Sequence, residues 1–553
     1  MSNRTLTLLM GFVAFLILIA GVVVIVVAVG GGNDNNSTPA GDATPRPGSG
    51  SVPQICRGNT LILAGDTPTT IFDPIQVGDV TTSRYIVEIF GGLVTLDTDL
   101  KVQPDIAEKW EISPDGKVYT FTLRRNVLFH NNRRVTADDV KYSIERAADP
   151  KEASPTVRAY LGNIVGIVDK YEGRANEVSG VRVVDQNTIE IELIEPSPYF
   201  LQELAYPVSY VVDREQIQSD PRNWTRRPNG TGPFRVAEYR PAELIRLVRH
   251  DRYHLGPAKI EEIRFEIAGG SVFTRYENNE IHIGFVPAQL LAEVEAGRSN
   301  LSDQYRAIPE LATFYLTLNT NKPPFDDLNV RKAFAMTVDR ETINEVLFFG
   351  YYRVADGFVP PEMPGYDPDV RSYRFDPEEA RRLIQSSKYA GNLPRVVLTY
   401  SGGGGNPPSM LEKMVNDWRT LLGVDVQLQA VESAAFLREL RRGTFDFVNE
   451  GWSADYPDPE NFIGKLFYSR SPLNYTKYSN PKVDQLVERA RKETDPAVRS
   501  KLYGEAEQII LDDAVVIPTF WSVDHVLVKD CVKNYPSAPM TIPIYRYVEI
   551  KAD

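Results

Sequence analysis

PPSMLEKMVNDWRTLLGVDVQLQAV, residues 407–431, changes its hydrophobic period half-way along. Leu411, Met414, Val415, Trp418, Leu421 and Leu422 fall on one helical stripe. Gly423 then stops the helix. Val424, Val426, Leu428 and the smaller Ala430 alternate, as one face of a strand does. A helix around 432–442 and the short strand TFDFV (444–448) complete a β/α layer. The fold class is therefore α/β. Directly after that layer comes GWSADYPDPENF, residues 451–462. It lies just past a strand end, where α/β sheets place their ligands. It carries three acids, Asp455, Asp458 and Glu460, after Trp452, with Tyr456, Pro457 and Pro459 among them. Spacing alone leaves three readings open: paired catalytic carboxylates, a metal loop, or a seat for a positive charge.

The same signals continue on both sides. VYTFTLR (118–124) and TIEIEL (188–193) alternate as strands. Thr136-Ala137-Asp138-Asp139 resembles a capping box ahead of a helix that carries Val140, Ile144 and Ala147. Downstream, two further helices are expected. One carries Val483, Leu486, Val487 and Ala490; the other carries Val498, Leu502, Ala506, Ile509 and Ile510. Pro481 and Pro496 stand in their first turns.

A chain of 553 residues is too long for one core, so at least two lobes are expected. Its net charge of −13 excludes nucleic acid as a partner, because phosphate binding needs a basic face, and favours a solvated monomer. Two cysteines make neither a metal cluster nor a disulfide scaffold. His250 and His254 have the spacing of a helical metal pair, but RHDRYHLGP is polar and breaks at Gly-Pro, so no metal is expected. H-E-x-x-H, G-x-S-x-G and the P-loop pattern do not occur. SGGGG (401–405) lacks the lysine and hydroxyl of a phosphate cradle.

The N-terminus reads differently. Arg4 precedes an uncharged run, LLMGFVAFLILIAGVVVIVVAVGGG, residues 8–32. That is long enough for a spanning helix, which needs roughly 20 residues. It lacks an A-x-A cleavage site and a lipid-bearing cysteine. Residues 1–30 are expected to anchor the protein in the cell membrane, with the folded body outside the cytoplasm. Residues 31–56, rich in Gly, Ser, Pro, Asn and Thr, read as a flexible linker.

Several segments together resemble the bacterial extracellular solute-binding proteins of family 5, the peptide- and nickel-binding receptors of ABC importers, and the oligopeptide-binding members most. PDIAEKWEISPDGKVYTFTLRRNVLFHNNRRVTADDVKYSIERA (104–147) is similar to the family signature. DPKEASP (149–155), VRVVDQNTIEIEL (181–193), NGTGPFRV (229–236), TFYLTLNTNKPPFDDLNVRKAFAMTVDRETI (313–343) and GTFDFVNEGWSADYPDPENF (443–462) follow in family order. The resemblance implies a two-lobed, hinged periplasmic-binding-protein-like fold (type II, cluster C) with three domains. Domain I would comprise 57–90, 205–308 and 519–553; domain II, 91–204; domain III, 309–518, with hinge crossings near 308 and 518.

For function, the resemblance implies a non-catalytic, cofactor-free receptor that captures peptides between closing lobes and delivers them to the permease. Asp455 would pair with the ligand's α-ammonium group. Trp452, Ser453 and Ala454 would meet the peptide backbone as an added strand. Asp79 and Val80 would face them from domain I, and Tyr315 would contact ligand. Oligopeptide binders carry Arg at Asn449, Tyr at Thr156, Glu at Thr317 and Trp at Ser433, so peptide length stays open. An oligosaccharide or nickel-chelate ligand, or a glycosidase using Asp455 and Glu460, remain the alternatives. Cys56 and Cys531 would both lie in domain I in an oxidising compartment, which implies one disulfide.

Overall fold

The computed structural model describes residues 54–551 except 69–70, 403–405 and 541. The expected anchor, most of the expected linker and the centre of the SGGGG loop lie outside the described residues. Among the described residues no helix is long and apolar enough to cross a membrane.

Local patterning builds three large sheets, beside two of only two strands each. Thr60–Ala64 pairs in parallel with Glu262–Glu266, which continues antiparallel to Leu244–Arg249 and Phe234–Arg240. A strand at the start of the folded body thus pairs with one some 200 residues later, so this unit is discontinuous in sequence. A second, antiparallel sheet runs Ala107–Ile112, Val118–Leu123, Thr188–Glu192, Val181–Asp185. The expected alternation holds there: Tyr119, Phe121, Leu123, Ile189 and Ile191 are buried. Beside it, Ala137–Ala147 buries Val140, Ile144 and Ala147, and the Thr136 amide donates to Asp139 Oδ2 at 2.9 Å.

The third sheet has seven strands, and Val396–Ser401, Val426–Val431 and Phe447–Ser453 form its parallel layer. The helix before Val426 buries Leu411, Met414, Val415 and Trp418. It loosens into a π turn at Trp418–Leu422 and ends at Gly423 with φ 70°. Pro481–Lys492 buries Val483, Leu486, Val487 and Ala490, as expected. In Pro496–Asp512, Leu502, Ala506 and Ile510 are buried, but Val498 is 44% exposed. That first turn overhangs the core, so its apolar residue finds nothing to pack on.

Two long antiparallel strands, Tyr305–Leu318 and Val516–Val528, join the units. At one end Ile308, Val526 and Val528 belong to the core of the first sheet. At the other, Leu316, Leu318, Ile517 and Phe520 belong to the core of the third. Their register slips between Pro309 and Thr313, at the passage from one core to the other. The crossings expected near 308 and 518 fall on these strands.

Cys56 and Cys531 are disulfide-bonded, with Cα atoms 5.8 Å apart and a sequence separation of 475. Both are buried in the first-sheet core. Replacing both by Ser should lower stability by about 2–5 kcal/mol, because the cross-link restricts the unfolded chain. Urea unfolding of wild type, with and without reductant, against the double variant checks this; coincident midpoints would refute it.

Candidate ligand-binding site

Phe447–Ser453 lies antiparallel to Tyr305–Leu318, from Leu318 opposite Phe447 to Ala312 opposite Ser453. On its other side, Val396–Ser401 accompanies it only as far as Asn449, which sits opposite Tyr400. From Glu450 onward that edge has no strand neighbour among the described residues. The Ala454 amide donates to Leu311 O at 2.8 Å. By antiparallel alternation the backbone groups of Trp452 and Glu450 point the same way, and those of Gly451 and Ser453 point to the open edge. An unpaired edge of this kind is a template for an added strand.

Past Ser453 the chain is pinned by a residue that sequence reasoning missed. The Oδ1 of fully buried Asn461 accepts both from Trp452 Nε1 at 2.8 Å and from the Asp455 amide at 3.2 Å. The other two acids of the motif are committed elsewhere. Asp458 takes a bidentate bond from Arg499, one arm at 2.8 Å. Glu460, fully buried, accepts from Arg491 at 2.8 Å and from the Tyr503 hydroxyl at 3.2 Å. A Cβ at position 464 would collide with the Glu460 carboxylate, so Gly464 makes room for that pair. Glu460 is thus committed to Arg491 and Tyr503.

Asp455 differs. It accepts from the Tyr160 hydroxyl, and no Lys, Arg or His among the described residues comes within ion-pair distance. Burial pushes its carboxyl up to about 6, against the bonds from Tyr160 and Asn461 and the more distant Lys465 charge. Tyr160 stacks on Tyr206 at 4.1 Å. Lys465 Nζ lies 5.2 Å from the Tyr160 ring, donates to Ala159 O and pairs with buried Glu203 at 2.6 Å. Residues 156–206 therefore close onto residues 454–465 around Asp455.

The other expected contacts are placed as follows. Asp79 caps the helix Val80–Ile89, its Oδ1 accepting from the Thr82 amide at 2.8 Å. Gly78 beside it lies against Arg441, at the end of the helix Ser433–Arg442, so this segment faces the third-sheet unit. Tyr206 lies within electrostatic reach of both Asp455 and Asp79, and of Arg441. Trp452, Ser453 and Asn449 are partly buried and Ala454 is buried. Tyr315 is 2% exposed, opposite Glu450 and edge-on to Phe358 at 4.9 Å, so it packs in the core. Glu450 is a second residue that sequence reasoning missed. It accepts from Thr317 Oγ1 at 2.7 Å, and burial pushes it up to about 7. Ser433 bonds Ser401 at 2.9 Å, while Thr156 Oγ1 donates to Val77 O at 3.4 Å.

A cavity, partly open to solvent, runs from Asp455 to the two long strands at Ile308, Glu310 and Asp524. Of the eight expected contact residues, only Asp455 lines it. His250 and His254 are buried outside a helix, bonded to Gly232 O and to Asp105, and no metal-binding group of side chains occurs among the described residues.

The family described as bacterial extracellular solute-binding proteins, family 5 Middle, matches residues 101–473. The chain belongs to this family. This solute-binding protein is 30% identical to the periplasmic oligopeptide-binding protein OppA of Escherichia coli over 501 residues, 86% of this chain and 89% of OppA. It is 31% identical to the probable deoxycholate-binding periplasmic protein YgiS of Escherichia coli, over 84% of this chain and 88% of YgiS. The Escherichia coli murein tripeptide binding protein MppA superposes with a TM-score of 0.80 at 27% identity, covering 89% of this chain and 99% of MppA. The unliganded open form of MppA superposes less well, at 0.68, with 27% identity, 91% of this chain and 99% of MppA covered.

An Asp whose folded value lies above its ordinary 3.8 contributes stability at low pH that is lost as pH rises through about 6. Asp455→Asn keeps an acceptor for Tyr160 and never ionises. The empty variant should therefore be more stable than wild type at pH 7, by roughly 1–3 kcal/mol, with the gain vanishing below pH ~4. Urea midpoints across that range check it.

Proposed function

We propose that the protein is the substrate-binding receptor of an ABC importer, capturing peptides at Asp455 and handing them to the permease. The observation that carries this is a carboxylate without a cationic partner, at the end of an open strand edge and enclosed between two units of the fold. A buried anion is costly unless something positive meets it. A free peptide N-terminus supplies that charge, and its backbone extends the edge at Gly451 and Ser453 whatever its side chains are. Trp452 and Ala454 hold the edge in place; Asp79 and Val80 close it from the opposite side. Tyr315 supports this layer from the core.

The three-domain division, 57–90 with 205–308 and 519–553, then 91–204, then 309–518, makes the paired strands Tyr305–Leu318 and Val516–Val528 the hinge. The uncharged run at 8–32 supports a membrane-tethered, extracytoplasmic monomer, and the spent charges of Asp458 and Glu460 support a purely binding role. Oligosaccharide and nickel-chelate ligands draw less support, since a neutral sugar brings no positive charge to the carboxylate and no metal-binding group of side chains occurs among the described residues.

Calorimetry with a free and an N-acetylated peptide, on wild type and Asp455→Asn, gives a double-mutant cycle. Each single change should cost about 2–5 kcal/mol, and the two together little more than either. Additive losses would refute the contact, and negligible losses would move the ligand to a class without an ammonium group. Free-peptide affinity should also fall below pH ~6, where protons compete for Asp455, and above pH ~8, where the amine loses its charge.

A ligand held between lobes must favour the closed form. X-ray scattering should show a smaller radius of gyration for an open, ligand-free population on adding peptide. An unchanged radius at saturation in every buffer would count against a hinge.

A further inference from the structure

Lys465 does more beside Asp455 than pair with Glu203. Its short helix, Ile463–Phe467, follows the motif, while both of its partners belong to residues 156–206. The ammonium donates to Ala159 O and to Glu203 Oε1, the latter at 2.6 Å, across sequence separations of 306 and 262. The Lys465 and Glu203 side chains are only 7% and 4% exposed. Each partner leads to one tyrosine of the stack beside Asp455. Ala159 shares a peptide unit with Tyr160, whose hydroxyl donates to Asp455 Oδ2. The Glu203 carbonyl accepts from the Tyr206 amide at 3.1 Å. One ammonium thus grips the two backbones that carry the rings of Tyr160 and Tyr206, which lie 4.1 Å apart and 9° from parallel.

The arrangement also carries charge to the site. A buried ammonium resting on a carbonyl alone would be costly, and the Glu203 carboxylate offsets it. Burial pushes Glu203 up to about 7, against the Lys465 charge, while Glu460 and Arg491 act on it with opposite signs. The Tyr160, Tyr206 and Tyr475 hydroxyls lie within electrostatic reach of Asp455. Arg441 acts on Tyr206 and Tyr475 rather than on Asp455. Among the described residues, Lys465 is the one cation whose charge reaches the Asp455 carboxyl, where it favours the ionised form. Lys465 therefore bears both on where that carboxylate is held and on how readily it takes a proton.

We infer that Lys465 is the positioning residue of the amine seat: its ammonium docks between Ala159 and Glu203, holds Tyr160 against Asp455, and so fixes the carboxylate that receives the ligand's α-ammonium. The inference rests on the peptide reading above. Because the two halves of the ion pair stand on different segments, the seat is complete only when residues 156–206 and 454–465 meet. An amine then gains its full hold from the closed form, which is the differential affinity that closure requires.

Calorimetry on the full chain in detergent tests it with Ala-Ala-Ala and its N-acetylated form across neutral and mildly acidic pH. The ratio of free to acetylated affinity reads the amine seat alone. In Lys465→Met that ratio should fall roughly 2- to 10-fold at neutral pH, as the loss of one net hydrogen bond would give. The pH below which free-peptide affinity declines should rise by about one unit, because Asp455 loses the cation that opposes its protonation. In Glu203→Gln, which keeps an acceptor for Lys465 but leaves its charge unopposed, that pH should move down instead. Shifts of opposite sign separate a tuned carboxylate from lost packing, and Glu203→Gln leaves no buried unpaired anion to prevent folding. An unchanged ratio and pH limit in Lys465→Met, or shifts of the same sign in both variants, would overturn the inference while leaving peptide capture intact. A wild type that binds both peptides equally, or neither, would instead remove the amine reading, and this inference with it.

Discussion

The chain passes between its two main bodies through a pair of hydrogen-bonded strands, and this constraint organises the rest. Tyr305–Leu318 and Val516–Val528 are each long enough to enter two cores, so each body grips one end of the same ribbon. A twisted two-stranded ribbon bends far more readily than a sheet packed on both faces. The register slip at Pro309–Thr313 puts the weakest part of the ladder between the cores. The cavity lies beside that slip, lined there by Ile308 and Glu310.

Electrostatics within the GWSADYPDPENF stretch follow the same division of labour. Arg491 and Arg499, from the two helices behind the motif, satisfy Glu460 and Asp458 and so hold the turn rigid. Asn461 fixes the backbone at Asp455 and the ring of Trp452. The one carboxylate of the motif left without an arginine, Asp455, is the one that faces the cavity. Its raised pKa is a store of unfavourable energy that a bound cation would release.

The α/β class and most helix and strand faces were legible in sequence, because burial of one face writes a local period. Leu411 to Trp418 and Val483 to Ala490 are examples. Val498 shows the limit: the period says which face is apolar, not how far the core beneath it extends. The motif's place at a strand end was legible too, but the strand expected at 444–448 runs Phe447–Ser453 and takes in the motif's first three residues. The partners of its acids were not, since Glu460 and Asp458 find arginines 31 and 41 residues downstream and Asp455 finds Tyr160 at a separation of 295. Tyr315 reads as an aromatic beside the site, yet its strand position turns it into the core. Asn461 carried no periodic signal, being one polar residue in a proline-rich turn.

The disulfide between Cys56 and Cys531 has a mechanical meaning. Cys56 lies in the short turn Gln54–Arg57 ahead of the first strand, Thr60–Ala64. A pull applied there passes through a covalent link to Cys531, three residues after Val516–Val528, and spreads into the first-sheet core. The load is carried by that core, away from the register slip at 309–313.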